Sequence, residues 1–223
     1  MQPHVTDSAE FPGNPVLTIV HHNIQGLQSK MPDLMNNTDM KKDVVLLTET
    51  HLTPAVPNCR IALHNYNLKR KDRTQGPGGG VAMYISSSKT ATNLDLPTGN
   101  LEALAVAIQE IPQTIVAVVY RPPSHTLHSF GSDLTTMLTA IKSHQNVIIA
   151  GDFNENLLSD NSHPIQEIFS KFRFSQHIKK PTTRYGSILD AIYTRSVSFM
   201  DLQVGVIPTY YSDHEAIQIH ISQ

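Results

Sequence analysis

Two polar side chains, Asp152 and Asn154, follow directly on an apolar run, Val147-Ile148-Ile149-Ala150, that breaks off at Gly151. An uninterrupted β-branched run of this kind reads as a central strand buried on both faces. The period of two at a strand end puts Asp152 and Asn154 on one side and points Phe153 away. A carboxylate at the rim of a buried sheet is costly unless it binds something. The pattern recurs along the chain. Asn23 closes one apolar run, Glu49 a second and Tyr120 a third, Asp190 sits in a fourth, and Ser212-Asp213-His214 precedes the last. Carboxylates, amides, a phenol and an imidazole at strand ends suit phosphoester chemistry with a hard cation. Magnesium takes one or two carboxylates and keeps waters and substrate oxygens as its other ligands. Histidine acts near neutral pH, and a second carboxylate such as Asp190 fixes its tautomer.

Singly, each residue has a plainer reading. Glu49 reads as a solvated strand-end charge, Asp213-His214 as a cap, and Asn23 as a helix cap or turn residue. Asp190 resists this treatment, because Leu189 and Ala191 flank it and a buried charge needs a partner. Ten other histidines (His21, His22, His51, His64, His125, His128, His144, His163, His177 and His220) read as surface or packing residues.

The elements that must position these residues follow from periodicity. Strands are expected at Val16–His21, Asp43–Leu47, Gly80–Ile85, Leu101–Ile108, Thr114–Tyr120, the Val147 run, Ile188–Tyr193, Leu202–Ile207 and Glu215–Ile221. A hairpin around Ile111-Pro112-Gln113 joins two of them. Helical spacing marks Leu27–Met40, Leu127–His144 and Ile165–Phe172. Many strands with a few interspersed helices call for two mixed sheets packed face to face, with helices outside.

Composition narrows the class. At 223 residues with no linker-like stretch, the chain is read as a leader, residues 1–15, and one domain, residues 16–223. No apolar run is long enough to span a bilayer, so no membrane partner is expected. Cys59 is the single cysteine, which excludes an internal disulfide framework and a Cys-based zinc site. The net charge of −2 argues against a chain coated for nonspecific nucleic-acid binding. One basic run, Lys69-Arg70-Lys71-Asp72-Arg73, precedes a glycine-rich stretch and is read as a loop, either solvated or touching DNA.

Eight words in order carry a resemblance. They are Asn23-Ile24-Gln25-Gly26-Leu27, Leu47-Thr48-Glu49-Thr50, Gly78-Gly79-Gly80-Val81-Ala82, Val119-Tyr120-Arg121-Pro122-Pro123, Gly151-Asp152-Phe153-Asn154, Pro181-Thr182-Thr183-Arg184, Leu189-Asp190 and Ser212-Asp213-His214. Together they resemble the endonuclease/exonuclease/phosphatase superfamily, the DNase I-like fold. Within it they most resemble the apurinic/apyrimidinic-endonuclease-like endonuclease domain of non-LTR, LINE-type retrotransposons. The resemblance implies a four-layered α/β sandwich with its site at one end of the two sheets. It implies magnesium, with manganese as a substitute, held by Glu49 with Asn23, and Asp213 on the metal side. Asp152 and Asn154 would orient or deprotonate water. His214, held by Asp190, would contact the scissile phosphate, and Tyr120 would hydrogen-bond the phosphate or leaving oxygen.

Thr183 would lie near the DNA. Arg121, Lys69, Arg70 and Phe199 are further expected DNA contacts, the last as a wedge in a Ser196–Asp201 hairpin. The implied activity nicks one strand of double-stranded DNA and leaves a 3′-hydroxyl that primes reverse transcription. The implied partner is a covalently linked reverse transcriptase, the implied place of action the nucleus, and the isolated domain is expected to be a monomer. Repair-type relatives carry an aspartate where this chain has Gln25, which leaves the metal one carboxylate fewer. Two alternatives are a phosphoesterase acting on inositol phosphates or phospholipid head groups, and a catalytically silent DNA-binding module.

Overall fold

The computed structural model describes residues 16–111, 114–196 and 201–222. The expected leader lies outside these residues, as do Pro112 and Gln113 of the expected hairpin turn and Phe199 and Met200 of the expected wedge.

Among the described residues, twelve strands and three α-helices follow one another in the order β1 (Leu17–Asn23), α1 (Leu27–Asn36), β2 (Val44–Thr48), β3 (Tyr66–Lys71), β4 (Val81–Ser86), β5 (Ala91–Asn93), β6 (Glu102–Ile108), β7 (Thr114–Tyr120), α2 (Leu127–Ala140), β8 (Asn146–Asp152), α3 (Pro164–Lys171), β9 (Ser175–Gln176), β10 (Asp190–Arg195), β11 (Asp201–Ile207) and β12 (Ala216–Ser222). They form two six-stranded mixed sheets, ordered β11-β12-β1-β2-β4-β3 and β5-β6-β7-β8-β10-β9. Each sheet contains one parallel pair, β1 with β2 and β7 with β8, and α1 and α2 make the two crossovers. A parallel pair cannot be closed by a tight turn, so each needs its helix.

Three apolar layers hold the sandwich together. One lies between the sheets and includes Ile19, Leu46, Met83, Val118, Ile148, Ile192 and Ile219. A second packs the outer face of the second sheet on α2 and α3, through Val147, Ile149, Phe130, Leu134 and Phe169. The third packs the first sheet on α1, through Val20, Val45, Leu27 and Leu34. The result is helix, sheet, sheet, helix, the expected four-layered architecture. No described helix is long and apolar enough to cross a membrane.

Three expectations are corrected. The basic run is not a loop: Tyr66–Lys71 is an edge strand of the first sheet, paired with β4. Its Lys and Arg residues mask a strand because charge is tolerated, and useful, at an exposed edge. Strands β10 and β11, on either side of the expected Ser196–Asp201 hairpin, do not pair with each other, because they belong to different sheets. Arg195 and Asp201, the described residues on either side of 197–200, lie at the end of the sandwich away from Asp190. The first helix stops at Asn36, because the Asn37 side chain accepts the Asp39 N–H and starts a separate single turn.

Candidate active site

The alternation of the central strands aims one set of polar residues between the sheets. Leu17 and Ile19 of β1 face the inter-sheet core, so His21 and Asn23 share that face. By the same count Thr48 on β2, Tyr120 on β7, Asp152 on β8 and Asp190 on β10 point inward at the same end. The apolar filling stops there and a polar cluster replaces it. The site sits at the carboxyl ends of both parallel pairs, where α/β sheets present their ligand crevices.

Asp152 and Asp190 of the second sheet meet His214, from the loop between β11 and β12 of the first, in a buried polar cluster. His214 Nδ1 lies 2.8 Å from Asp190 Oδ2, and Asp190 is fully enclosed. Asp152 stands opposite Asp190 in the β8–β10 register. Its Oδ2 accepts the Asn23 amide at 2.8 Å, and its Oδ1 accepts the Asn154 backbone N–H at 3.0 Å. Burial pushes both aspartates up from the usual carboxylate range, and the neighbouring Asp190 adds to the effect on Asp152. Burial opposes charge on His214, but the hydrogen bond and charge of Asp190, with Asp152 and Asp213, outweigh it and raise His214 to about 9. The three groups therefore share protons as one unit.

Backbone devices fix this cluster. A Cβ on Gly151 would collide with the Val119 carbonyl, so only glycine lets β8 lie this close to β7 just before Asp152. Asn154 follows with φ +48, a left-handed conformation held because its side-chain amide donates to the Arg121 carbonyl at 2.8 Å. The Asp190 N–H donates to Thr182 Oγ1. The His214 carbonyl accepts from Thr209 Oγ1 at 2.7 Å and lies 3.1 Å from His22 Nε2. The His214 N–H donates to Ser212 Oγ, which lies 2.9 Å from the Asn23 carbonyl and 3.2 Å from Gln25 Oε1. Gln25 thus braces the histidine loop from the position where an extra carboxylate would otherwise stand.

The first sheet supplies a more open half. Glu49 Oε1 accepts the Tyr120 hydroxyl at 2.5 Å, and Oε2 lies 3.2 Å from His51 Nε2. Burial and the Glu49 carboxylate push the Tyr120 phenol far up, so it stays a donor. Glu49 and His51 both have positive φ, +50 and +53. The glycine-rich stretch holds them there: Thr50 N–H donates to the Gly80 carbonyl and His51 N–H to the Gly79 carbonyl. Arg73 lies over the Tyr120 ring and pairs with Glu102 at 2.6 Å, and Glu102 also accepts the Gly80 N–H. Asp213 is half-buried at the rim, its enclosed Oδ1 4.0 Å from His214 Nε2.

Asp152, Asp190 and His214 offer ligand atoms within 4.8 Å of one another, a set able to hold a metal ion. Binding through His214 Nδ1 would cost its bond to Asp190, so Nε2 is the free nitrogen. A hard cation finds a better match nearby. Asn23 Oδ1 is buried without a hydrogen-bond partner, and Glu49 offers a partly exposed carboxylate.

The other expected DNA contacts fall elsewhere. Arg121 is buried and its guanidinium donates to the carbonyls of His125, Phe153 and Asn154, so it braces the exit of β8. Arg70 is committed to Asp72 and the carbonyls of Thr53 and Val56. Lys69 lines a side groove between the sheet edges with Asn93 and Asp95. Thr183 pairs with His214 as an isolated bridge, and its Oγ1 lies 2.6 Å from Ser187 Oγ.

Residues 20–214 match the model of the Endonuclease/Exonuclease/phosphatase family. The chain belongs to this family. No curated protein sequence matches it significantly. Among solved structures it is similar to the catalytic domain of Xenopus laevis APE2, at 17% identity and TM-score 0.72, over 92% of both chains. It is similar to the human Nocturnin catalytic domain, at 17% identity and TM-score 0.69, over 95% of this chain and 94% of that one. It is also similar to the endonuclease domain of TRAS1, a telomere-specific non-LTR retrotransposon, at 14% identity and TM-score 0.68, over 92% of this chain and 98% of that one. At these identities the likeness is one of fold.

Within this endonuclease/exonuclease/phosphatase fold, three residues escaped sequence reasoning. His21, read as packing, is fully buried with Nδ1 3.7 Å from Asp190 Oδ1 and Nε2 3.2 Å from Thr48 Oγ1. Burial holds its imidazole well below the usual range, so it stays neutral beside the dyad. His51 touches Glu49, and Lys30 feels the charges of Asp213 and Glu49 from the first turns of α1. Position marked His21: it lies two residues before Asn23 on the same strand face.

Proposed function

We propose that this chain is a magnesium-dependent endonuclease that nicks one strand of double-stranded DNA, with manganese able to substitute. The observation that carries this reading is the buried His214–Asp190–Asp152 cluster, tied through Asn23 to the first sheet, with Glu49 held by Tyr120 at the open end of the same crevice. Asp190 accepts the Nδ1 proton and leaves His214 Nε2–H aimed at a phosphoryl oxygen. Asp152, oriented by Asn23 and Asn154, lines up the water in line with the leaving 3′ oxygen and accepts its proton. The Asn154 backbone N–H and the Tyr120 hydroxyl hold the two carboxylates in place. Glu49 and Asn23 would hold the cation, which would supply positive charge near the phosphoryl and leaving oxygens. The products are a 3′-hydroxyl and a 5′-phosphate.

The order of the eight sequence words, together with fold similarity to a retrotransposon endonuclease domain, supports the finer reading of a LINE-type element. In that setting the 3′-hydroxyl primes reverse transcription in the nucleus, and a covalently linked reverse transcriptase uses it. Residues 16–223 act as one domain, monomeric when isolated. Arg70, Lys71 and Arg73 are committed to protein acceptors, which removes the basic cluster an inositol phosphate would need.

Supercoiled plasmid tests the reading. Conversion to open circles with magnesium, none with EDTA, and extension of the nick by an added polymerase are the expected results. Release of inorganic phosphate without nicking would replace it with a phosphomonoesterase; binding without either would leave a silent module.

A further inference from the structure

Among the described residues, two of the large hydrophobic side chains are far more exposed than the rest: Tyr185 at 84% and Tyr210 at 72%. Both stand on loops that lead into the catalytic dyad. Tyr185 tips the turn Thr183–Ser187, between Thr182, which accepts the Asp190 N–H, and Asp190 itself. Tyr210 lies two residues before Ser212-Asp213-His214.

These loops are fastened to each other. Thr183 bridges to His214, the Arg184 N–H donates to the Asp213 carbonyl at 3.0 Å, and Arg184 Nη2 donates to the Tyr210 carbonyl at 3.0 Å. The turn is closed by Gly186 N–H to the Thr183 carbonyl. The Tyr210 hydroxyl donates to Asp33 of α1 at 3.1 Å. Behind it runs an aromatic file: Tyr210 meets Tyr211 edge-on at 5.2 Å, and Tyr211 meets His22 edge-on at 5.3 Å. His22 in turn abuts the His214 carbonyl. A single exposed ring needs no explanation, but two on loops fastened to each other beside a cation make a patch of the kind that marks an interaction surface.

We propose that Tyr210 and Tyr185, with the Arg184 cation between their loops, form a platform for nucleobases of the strand flanking the scissile phosphate. This rests on the DNA-nicking reading above. Aromatic faces beside a cation suit bases, which stack without demanding a particular sequence. The bracing from Tyr210 to the His214 carbonyl places the platform in register with the reacting phosphate, so it fixes where along the strand the cut falls.

The chain contains no tryptophan. Tyr210→Trp and Tyr185→Trp therefore each introduce a unique fluorophore. Titration of either variant with a short DNA duplex in EDTA should quench its emission at the concentration where a labelled duplex gains anisotropy. The double variant Tyr185→Ala/Tyr210→Ala should bind that duplex about 10- to 100-fold more weakly, the range aromatic stacking supplies, and should scatter the cut positions on a defined duplex. It should raise KM more than it lowers kcat, which a merely structural role would not do. Unquenched tryptophans with unchanged affinity and cut positions, in a wild-type protein that nicks plasmid, would overturn the platform alone. A wild-type protein that neither binds nor nicks DNA would overturn both readings. Quenching by a protein extract but not by duplex would assign the surface to a protein partner and overturn the platform.

Discussion

The two sheets contribute unequal halves to one site. The second sheet gives Asp152 and Asp190 from β8 and β10, both shut off from water, and the β11–β12 loop of the first sheet lays His214, only slightly open, against them. The first sheet gives Glu49, whose side chain is 22% exposed, and beside it His51 at 40%. Enclosure makes charge interactions strong and protonation shared, so the buried half is suited to handling protons. The open half keeps its carboxylate in contact with solvent, where a hydrated magnesium ion can arrive without losing all its waters. In the proposed reading, a single crevice thus separates proton chemistry from cation chemistry by depth.

The sharpest way to break this division is to remove the proton-handling group. His214→Ala should lower nicking of supercoiled plasmid by about 10²–10⁴-fold, while far-UV circular dichroism stays native. Added magnesium should restore nothing. A variant that still nicks at more than about a tenth of the wild-type rate would end the assignment of the dyad.

Glu49→Gln attacks the other half and should behave differently. It removes the charge offered to the cation but keeps the size of the side chain. Nicking should fall on the order of 10²–10³-fold at limiting magnesium, and excess magnesium should recover part of it. Calorimetric titration with magnesium should show weaker binding for this variant and near-wild-type binding for His214→Ala. Equal loss of cation binding in both variants would mean that the cation sits in the buried half, among Asp152, Asp190 and His214.

Tyr120→Phe is the intermediate case, because Tyr120 belongs to the second sheet yet serves Glu49. Its hydroxyl aims the carboxylate, and losing such a supporting partner typically costs about 10- to 100-fold in metal affinity or activity. The magnesium concentration for half-maximal nicking should rise, with the maximal rate less affected. A drop in maximal rate with no change in magnesium dependence would move the hydroxyl from orienting Glu49 to touching the phosphate directly.

The contrast between the halves also explains what was legible beforehand. Asp152, Asp190, Asn23 and Tyr120 could be read because β-branched runs mark central strands and the period of two says which side chain faces inward. The architecture of two mixed sheets followed from the same runs. His21 could not be separated from His22 by residue type, although the strand sends them to opposite faces, His21 to the dyad and His22 to the outer layer. The bracing role of Arg121 was not legible, because its acceptors are backbone carbonyls up to 33 residues away in sequence, and carbonyls leave no compositional trace. Strand β3 was hidden by its charges, and the passage from β10 to β11 by its shortness, which imitates a hairpin while changing sheets.

That basic strand supplies the smallest expected effect and a test of the open half's boundary. Arg73 and Lys69 are two of four cations within five residues, but they have opposite situations. Arg73 is partly buried, pairs with Glu102 and backs the Tyr120 ring, so Arg73→Gln should strand Glu102 and lower the melting temperature by several degrees. Lys69 lines a side groove away from the crevice. Lys69→Ala should change stability by less than about 0.5 kcal/mol and leave nicking within about twofold of wild type. The slope of log affinity for duplex against log salt reports the phosphates neutralised, and it should not move. A slope reduced by about one unit in Lys69→Ala would carry the DNA path along the edge of the first sheet. The cation half of the site would then extend beyond Glu49 and His51 to the strand that sequence reading first marked as basic.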